Sequence, residues 1–274
     1  MNILISVACG KGQVSHLKTA INLGYQIIGI DKERCCTEVS KHLKESTYNT
    51  NACLNSVRKE RLNEVAGVIC RASGPALSTA NELAKQFSLP RCGDLIASLS
   101  VSKLDLFKNA SKLSILAAET SIIGSGWSPK GKMILKPDIG VDGKKDIYII
   151  YPESKNLAEK IKNTEIRSVN NTAVVSPFIE GRDIGLATLS IEGVCLWQCF
   201  YEEIVEWSRE AIVNSNMRLD PADVNEDAEK QIMIAARKIL EISKASGFVY
   251  FSFRLNQNKT YLYEVNHGLA GDGL

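Results

Sequence analysis

Ile3 to Val7 is a short, wholly apolar run, the pattern of a strand buried on both faces. Gly10-Lys11-Gly12 breaks it. From Val14 to Leu23 the apolar residues Val14, Leu17, Ala20 and Ile21 recur at i, i+3, i+6 and i+7, which predicts a helix. Tyr25 to Ile30 reads as a second strand, ending in Asp31. Two buried strands joined by a helix form a βαβ unit and imply a parallel sheet. A third strand, Gly67 to Cys70, leads through Ser73-Gly74-Pro75 into a helix over Ala76 to Phe87, and Pro90 closes the module.

Beyond Val101 the pattern changes. A helix over Leu104 to Leu113 precedes Gly124-Ser125-Gly126, and Met133 to Pro137 reads as a strand ending abruptly. A polar loop, Gly140 to Lys145, separates it from a strand over Ile147 to Tyr151. Thr172 to Ile179 and Ile184 to Ile191 are apolar runs around Glu180-Gly181-Arg182-Asp183. Glu226 to Ser246 carries the clearest helical stripe, Ile232, Ala235, Ala236, Ile239 and Leu240, with Gly247 as its stop. Phe248 to Leu255 and Thr260 to Asn266 then predict a hairpin about Asn256–Lys259. Strands interleaved with helices suggest α+β architecture for this half, against α/β for the first.

Composition narrows the classes. The 274 residues suit about two domains, and 45% apolar with 23% charged residues is ordinary for a globular protein. With 33 Lys+Arg against 31 Asp+Glu and no basic block, nothing suggests a nucleic-acid footprint. No apolar run approaches the roughly 20 residues that span a bilayer, so no membrane partner is expected. The opening Met1 to Ala8 lacks a basic segment and argues against a secretory signal. Cysteines 9, 35, 36, 53, 70, 92, 195 and 199 mostly lie in apolar stretches without a CxxC pair. They read as buried, reduced thiols of a cytoplasmic protein.

Three constellations carry candidate chemistry. Gly10-x-Gly12-x-x-Ser15, with Asp31 nineteen residues after Gly12, nearly matches a dinucleotide fingerprint, though any tight βα turn wants the same residues. Lys136-Pro137 before Gly140 and Gly143 places a lysine at a strand end beside a flexible loop, either a polyphosphate contact or a solvated surface lysine. It is not a P-loop, because GxxxxGK[ST] is absent. Tyr263-Glu264-Val265-Asn266 alternates so that Glu264 and Asn266 share a strand face: hard-oxygen ligands for Mg²⁺, or a polar strand end.

The order of these segments changes their weight. Ser102-Lys103-Leu-Asp-Leu-Phe-Lys, Ile-Leu-Lys136-Pro-(x)₂-Gly140-(x)₂-Gly143, Ser176-Pro-Phe-Ile-Glu-Gly-Arg-Asp183 and Leu262-Tyr-Glu264-Val-Asn266 follow one another with plausible gaps. In this the chain resembles the ATP-grasp superfamily over about residues 92–274. Residues 1–91 resemble the Rossmann-like preATP-grasp domain of carbamoyl-phosphate-synthase-like members. The resemblance implies an ATP-grasp fold of two α+β subdomains holding ATP between them. Lys103 and Lys136 would contact phosphate oxygens, under the Gly140–Gly143 loop. Ser176, Pro177, Phe178 and Ile179 would form the adenine hinge, Asp183 would reach the ribose, and Glu264 and Asn266 would hold Mg²⁺. The implied activity is ATP- and Mg²⁺-dependent ligation, in which a small-molecule carboxylate is phosphorylated and an amine, thiol or other nucleophile attacks it. A homo-oligomer is compatible with this reading.

Three positions depart from the family pattern. Ser176 stands where members often carry Glu toward the adenine amino group. The strand Phe248 to Arg254 has no acid or amide for the usual further metal ligand, and Ser252 is its nearest oxygen. His267-Gly268 replaces the usual Pro-Arg, for which Arg254 is the substitute cation. The chain, ending at Leu274, therefore reads as a ligase with Lys136 and Arg254 as catalytic residues, in truncated form or with weakened metal chemistry. The alternative is a nucleotide-binding protein with weak or no turnover. A reading as an NAD enzyme through Gly10, Gly12 and Asp31 fits only the first third.

Overall fold

The computed structural model describes residues 2–33, 37–62, 64–124, 126–141, 147–208, 212–218 and 224–268. Its N-terminal module contains β1 (Ile3–Val7), α1 (Val14–Asn22), β2 (Gln26–Asp31), β3 (Lys41–Lys44), α2 (Thr50–Lys59), β4 (Val65–Cys70) and α3 (Pro75–Gln86). The strands pair in parallel in the order β3-β2-β1-β4. Ile5, Val7, Ile28 and Ile30 pack with Cys53 and Val57 of α2 and Ala76, Ala80 and Leu83 of α3 on one face. Ile27 joins Leu17 and Ala20 of α1 on the other. Strands covered on both faces explain the unbroken apolar runs. The sequence passes over β3 and α2: α2 buries only Cys53 and Val57, too few positions to establish a period.

Next come α4 (Asp94–Leu99) and α5 (Lys103–Lys112). A middle layer follows: β5 (Ser121–Ile122), β6 (Met133–Pro137), β7 (Tyr148–Ile150), α6 (Leu157–Arg167) and β8 (Ala173–Pro177). Its antiparallel sheet runs β5-β8-β6-β7. Leu135, Ile150, Ala173 and Val175 face Leu157 and Ile161 of α6. By alternation, Ile134, Lys136 and Ser176 take the opposite face.

The last layer contains β9 (Arg182–Ile191), β10 (Val194–Trp207), β11 (Ile212–Arg218), α7 (Glu226–Ser243), β12 (Gly247–Asn256) and β13 (Lys259–His267). These strands form an antiparallel sheet, β11-β10-β9-β12-β13. The largest core lies beneath it, where Ile232, Ala236, Ile239 and Leu240 of α7 meet Ile96, Leu99, Leu106, Phe251 and Phe253. The helix stops earlier than Gly247: Lys244 takes the left-handed C-cap position at φ 48, and Gly247 opens the next strand.

The N-terminal module joins the rest through a buried knot. The Asn81 side chain of α3 accepts from Gly93 N at 3.1 Å and Arg91 Nη1 at 3.3 Å, and donates to Asp94 Oδ1 at 2.9 Å. Ser246 N donates to Arg91 O at 2.8 Å. A methyl group on Gly93 would stand 2.2 Å from Ser243 O, so that position admits glycine alone.

Among the described residues, Cys9, Cys53, Cys70, Cys92, Cys195 and Cys199 are not joined in disulfides; Cys35 and Cys36 lie outside them. No helix among the described residues is long and apolar enough to cross a membrane.

Candidate functional site

All three sheets open onto one cavity of about 720 Å³. Lys103, Lys136, Gly140, Ser176, Pro177, Phe178, Ile179, Asp183, Arg254, Glu264 and Asn266 all line it. Segments spread over more than half the chain thus meet in one place. Gly143 lies outside the described residues.

The lysines are set by Asp138, which the sequence reading overlooked. This side chain is 3% exposed and follows directly on β6. It accepts from Ser102 Oγ at 2.8 Å, Leu104 N at 2.9 Å and Asn170 Nδ2 at 2.8 Å. Lys103 N donates to the Asp138 carbonyl at 3.2 Å. Asp138 thereby fastens the start of α5, with Lys103, to the end of β6, with Lys136. Burial first, and the Lys103 charge second, push the Lys136 amine down to about 8, against the opposing pull of Glu264 and Asp138. Two ammonium groups held this close form an electropositive seat for an anion.

Gly140 and Val141 pass over this seat and touch the N-terminal module. Ser73 Oγ donates to Val141 O at 3.4 Å. Gly74, at φ 67, leaves room for Val141; a methyl there would stand 2.8 Å from Val141 Cγ1.

The hinge segment is held from several sides. Phe178 N donates to Lys132 O at 3.1 Å, and the Lys132 ammonium lies 4.0 Å from the Phe178 ring centre. Lys132 pairs with Glu180, and Asn256 Nδ2 donates to Glu180 O at 2.8 Å. Arg254 Nη1 donates to Ile179 O at 3.1 Å. The Ser176 hydroxyl, in a residue 1% exposed, has no hydrogen-bond partner among the described residues. A buried orphan hydroxyl in a cavity-lining residue is costly unless something in the cavity meets it.

Asp183 and Arg254 are joined to each other by two hydrogen bonds, 2.7 and 3.0 Å long. The sequence reading had given them separate tasks. Glu203 and Tyr201, both on β10, also line the cavity. The Tyr201 ring lies against Gly185, where a methyl would stand 2.0 Å from its Cζ. Alternation over Tyr201, Glu203 and Val205 was the signal that would have found this wall.

At the metal candidate, Ser252 is the cross-strand partner of Glu264, and Tyr250 that of Asn266. The register then steps from Ser252/Glu264 to Phe253/Leu262, so Tyr263 is the extra residue of a β-bulge. The bulge brings both Tyr263 and Glu264 to the cavity, where simple alternation would exclude one. Burial, with the Asp183 and Glu264 carboxylates nearby, raises the Tyr263 phenol well above its ordinary value, leaving a neutral donor. His267 also lines the cavity. Burial pushes its imidazole down to about 4, and its Nδ1 has no partner among the described residues. No group of three or more His, Cys, Asp or Glu side chains among the described residues could hold a metal by itself. Glu264, Asn266 and Ser252 are hard-oxygen donors that fit an Mg²⁺ ion completing its coordination with phosphates and water.

The glycine turn after β1 does different work from a dinucleotide fingerprint. Asp31 accepts from Cys9 N at 3.0 Å and Lys32 N at 2.8 Å, closing the turn, which delivers Gln13 to the cavity. A methyl on Gly12 would meet nothing within 4 Å.

No protein-family model matches the sequence, and no curated protein does. Solved structures do. An L-amino acid ligase from Bacillus licheniformis superposes with TM-score 0.72 at 17% identity, over 98% of this chain and 67% of that one. Phosphoribosylglycinamide synthetase from Anaerococcus prevotii gives 0.67 at 16% identity, over 98% and 68%. D-alanine–D-alanine ligase from Bacillus anthracis complexed with ATP gives 0.67 at 14% identity, over 100% and 89%. The chain has the ATP-grasp fold. At these identities the likeness establishes the fold alone. Within the ATP-grasp fold of this chain, the parallel module, the middle layer and the last sheet are the three walls of the cavity just described.

Proposed function

We propose that this chain is an ATP- and Mg²⁺-dependent ligase that activates a carboxylate as an acylphosphate for attack by an amine or other nucleophile. One observation carries the reading. Paired lysines, a held hinge segment and an oxygen-donor pair converge on a single cavity. ATP- and ADP-bound structures among the fold neighbours support a nucleotide as the occupant.

Lys103 and Lys136 would bind and orient the phosphate chain, with Gly140 and Val141 excluding water over it. Glu264 and Asn266, with Ser252 opposite, would hold Mg²⁺, which when bound neutralises charge on the transferring phosphoryl group. Tyr263 keeps its proton, and Arg254 fixes the hinge. A carboxylate oxygen bonds to the γ-phosphorus as the bond to ADP breaks. The nucleophile then bonds to the acyl carbon as phosphate leaves, an amine giving up one proton.

A second reading rests on Ser252, the cross-strand partner of Glu264, where a second acid would tighten the metal. It is a nucleotide-binding protein with weak turnover. Thermal shift with ATP, ADP and NAD, with and without Mg²⁺, tests both. The ligase reading requires an ATP shift that Mg²⁺ enlarges. An NAD shift without an ATP shift would overturn it. An ATP shift indifferent to Mg²⁺ would favour the binding protein.

A further inference from the structure

Two of the described residues that line the cavity, Ser176 and His267, carry a buried side-chain polar atom without a hydrogen bond. Ser176 is 1% exposed and shares the cavity face of the middle sheet with Ile134 and Lys136. Ile134 is its cross-strand partner and stands two residues before Lys136 on β6. Ser176 is thus about 7 Å further along the sheet than Lys136. The other way along β6 is closed by Asp138 and the start of α5. A nucleotide with its phosphates on Lys103 and Lys136 would therefore direct its base toward Ser176, beside Ile134 and Phe178.

Much of the wall at this end is already engaged. Phe178 N donates to Lys132 O, and Ile179 O accepts from Arg254. Pro177 has no N–H to offer. The two carboxylates of the segment are each held by a cation, Glu180 by Lys132 and Asp183 by Arg254. Their charge is answered there, which leaves the neutral Ser176 hydroxyl to meet the edge of the base. The distinction matters chemically. A carboxylate only accepts, and would select a purine with an amino group at position 6. A hydroxyl rotates, so it accepts from an amino group or donates to a carbonyl.

We propose that Ser176 is a specificity-determining residue that makes the cavity tolerant at position 6 of the purine, so that 6-oxo nucleoside triphosphates bind alongside ATP. This rests on the ligase reading and adds the class of phosphoryl donor to it. In hypoxanthine and guanine a carbonyl oxygen takes the place of the adenine amino group, and the Ser176 O–H turns to donate where it otherwise accepts. The hydrogen on N1 also differs between the two kinds of base. That difference is common to the parent and to Ser176 variants, and it cancels when their affinity ratios are compared.

The test titrates the full chain calorimetrically with ATP and with inosine triphosphate, both in the presence of Mg²⁺. The parent should bind the two within about tenfold of each other. Ser176→Glu, whose carboxylate only accepts, should move the ratio toward ATP by about tenfold or more. Ser176→Ala should weaken both triphosphates, yet melt no lower than the parent without nucleotide, because it removes a hydroxyl that has no partner there. A merely structural serine would do the reverse, lowering the melting temperature and sparing the affinities. The alanine variant alone carries the comparison if Ser176→Glu does not fold. A wider gap against inosine triphosphate in the parent, an unmoved ratio in folded Ser176→Glu, or unchanged affinities in Ser176→Ala overturns the inference, while ATP binding keeps the ligase reading intact. Failure of both triphosphates to bind overturns the ligase reading, and this inference with it.

Discussion

Arg254 and Asp183 are register partners across β12 and β9, joined by parallel hydrogen bonds from Nε to Oδ1 at 2.7 Å and from Nη2 to Oδ2 at 3.0 Å. A third donor, Nη1, reaches Ile179 O. Their side chains are only 15% and 6% exposed. The pair neutralises itself and fixes the Pro177–Glu180 segment, so Arg254 acts first as a positioning residue.

Arg254→Met would strand the Asp183 carboxylate in its buried site. Removing one partner of such a pair costs about 3–5 kcal/mol, whereas replacing both with apolar groups is often near neutral. The double variant Arg254→Met/Asp183→Leu should therefore be more stable than Arg254→Met alone, as read from urea midpoints. A double variant at least as unstable as the single one would refute the pairing argument.

Lys136 links stability to pH. Its amine titrates at about 8 in the fold against an ordinary 10.5. Between these values the unfolded chain binds the proton that the folded chain has released, so this group makes stability rise with pH across that window. Below about 8 it is a full burden. Lys136→Met should be more stable than the parent at pH 7, with the advantage shrinking toward pH 10.5 in a melting series. The same variant should bind ATP at least tenfold more weakly while AMP changes little, since AMP lacks the outer phosphates.

Ser252→Asp would place a carboxylate directly opposite Glu264. Without metal, the like charges should lower stability by about 0.5–1 kcal/mol. With Mg²⁺ the loss should reverse, and both the Mg²⁺ enhancement of ATP binding and the rate of ADP formation should rise. Glu264→Ala should abolish the enhancement in either background. Metal-independent stability of Ser252→Asp would place the ion elsewhere.

Gly185→Ala tests the aromatic wall. Its methyl would stand within the Tyr201 ring, so the ring must leave its place. Overpacking of this kind costs about 1–3 kcal/mol. ATP affinity should fall together with the melting temperature, and Gly185→Ala/Tyr201→Ala should regain stability without regaining affinity. Full recovery of affinity would make the Tyr201 ring dispensable.

Sequence periodicity revealed elements that bury a continuous stripe, such as β1, α3 and α7. It missed α6, whose buried set is Thr164 alone and whose Ile166 is 67% exposed. Gly140, Lys136 and Glu264 were legible because strand ends and loops carry their own residue signatures. Tyr263 was not, since a bulge is an extra residue that alternation cannot count.

The knot around Asn81 determines where the molecule can bend. A pivot needs backbone whose bonds can be surrendered cheaply, and the 91–94 junction offers the reverse: a buried amide shared by four partners, beside a glycine pressed on Ser243 O. The junction would therefore resist bending between the first module and the last sheet. Any bending that opens the cavity would instead fall on the connections into and out of the middle layer, at 114–120 and 178–181. Arg254 and Lys132 grip the second of these, so the contacts that hold the cavity wall at Phe178 and Ile179 would also set its stiffness.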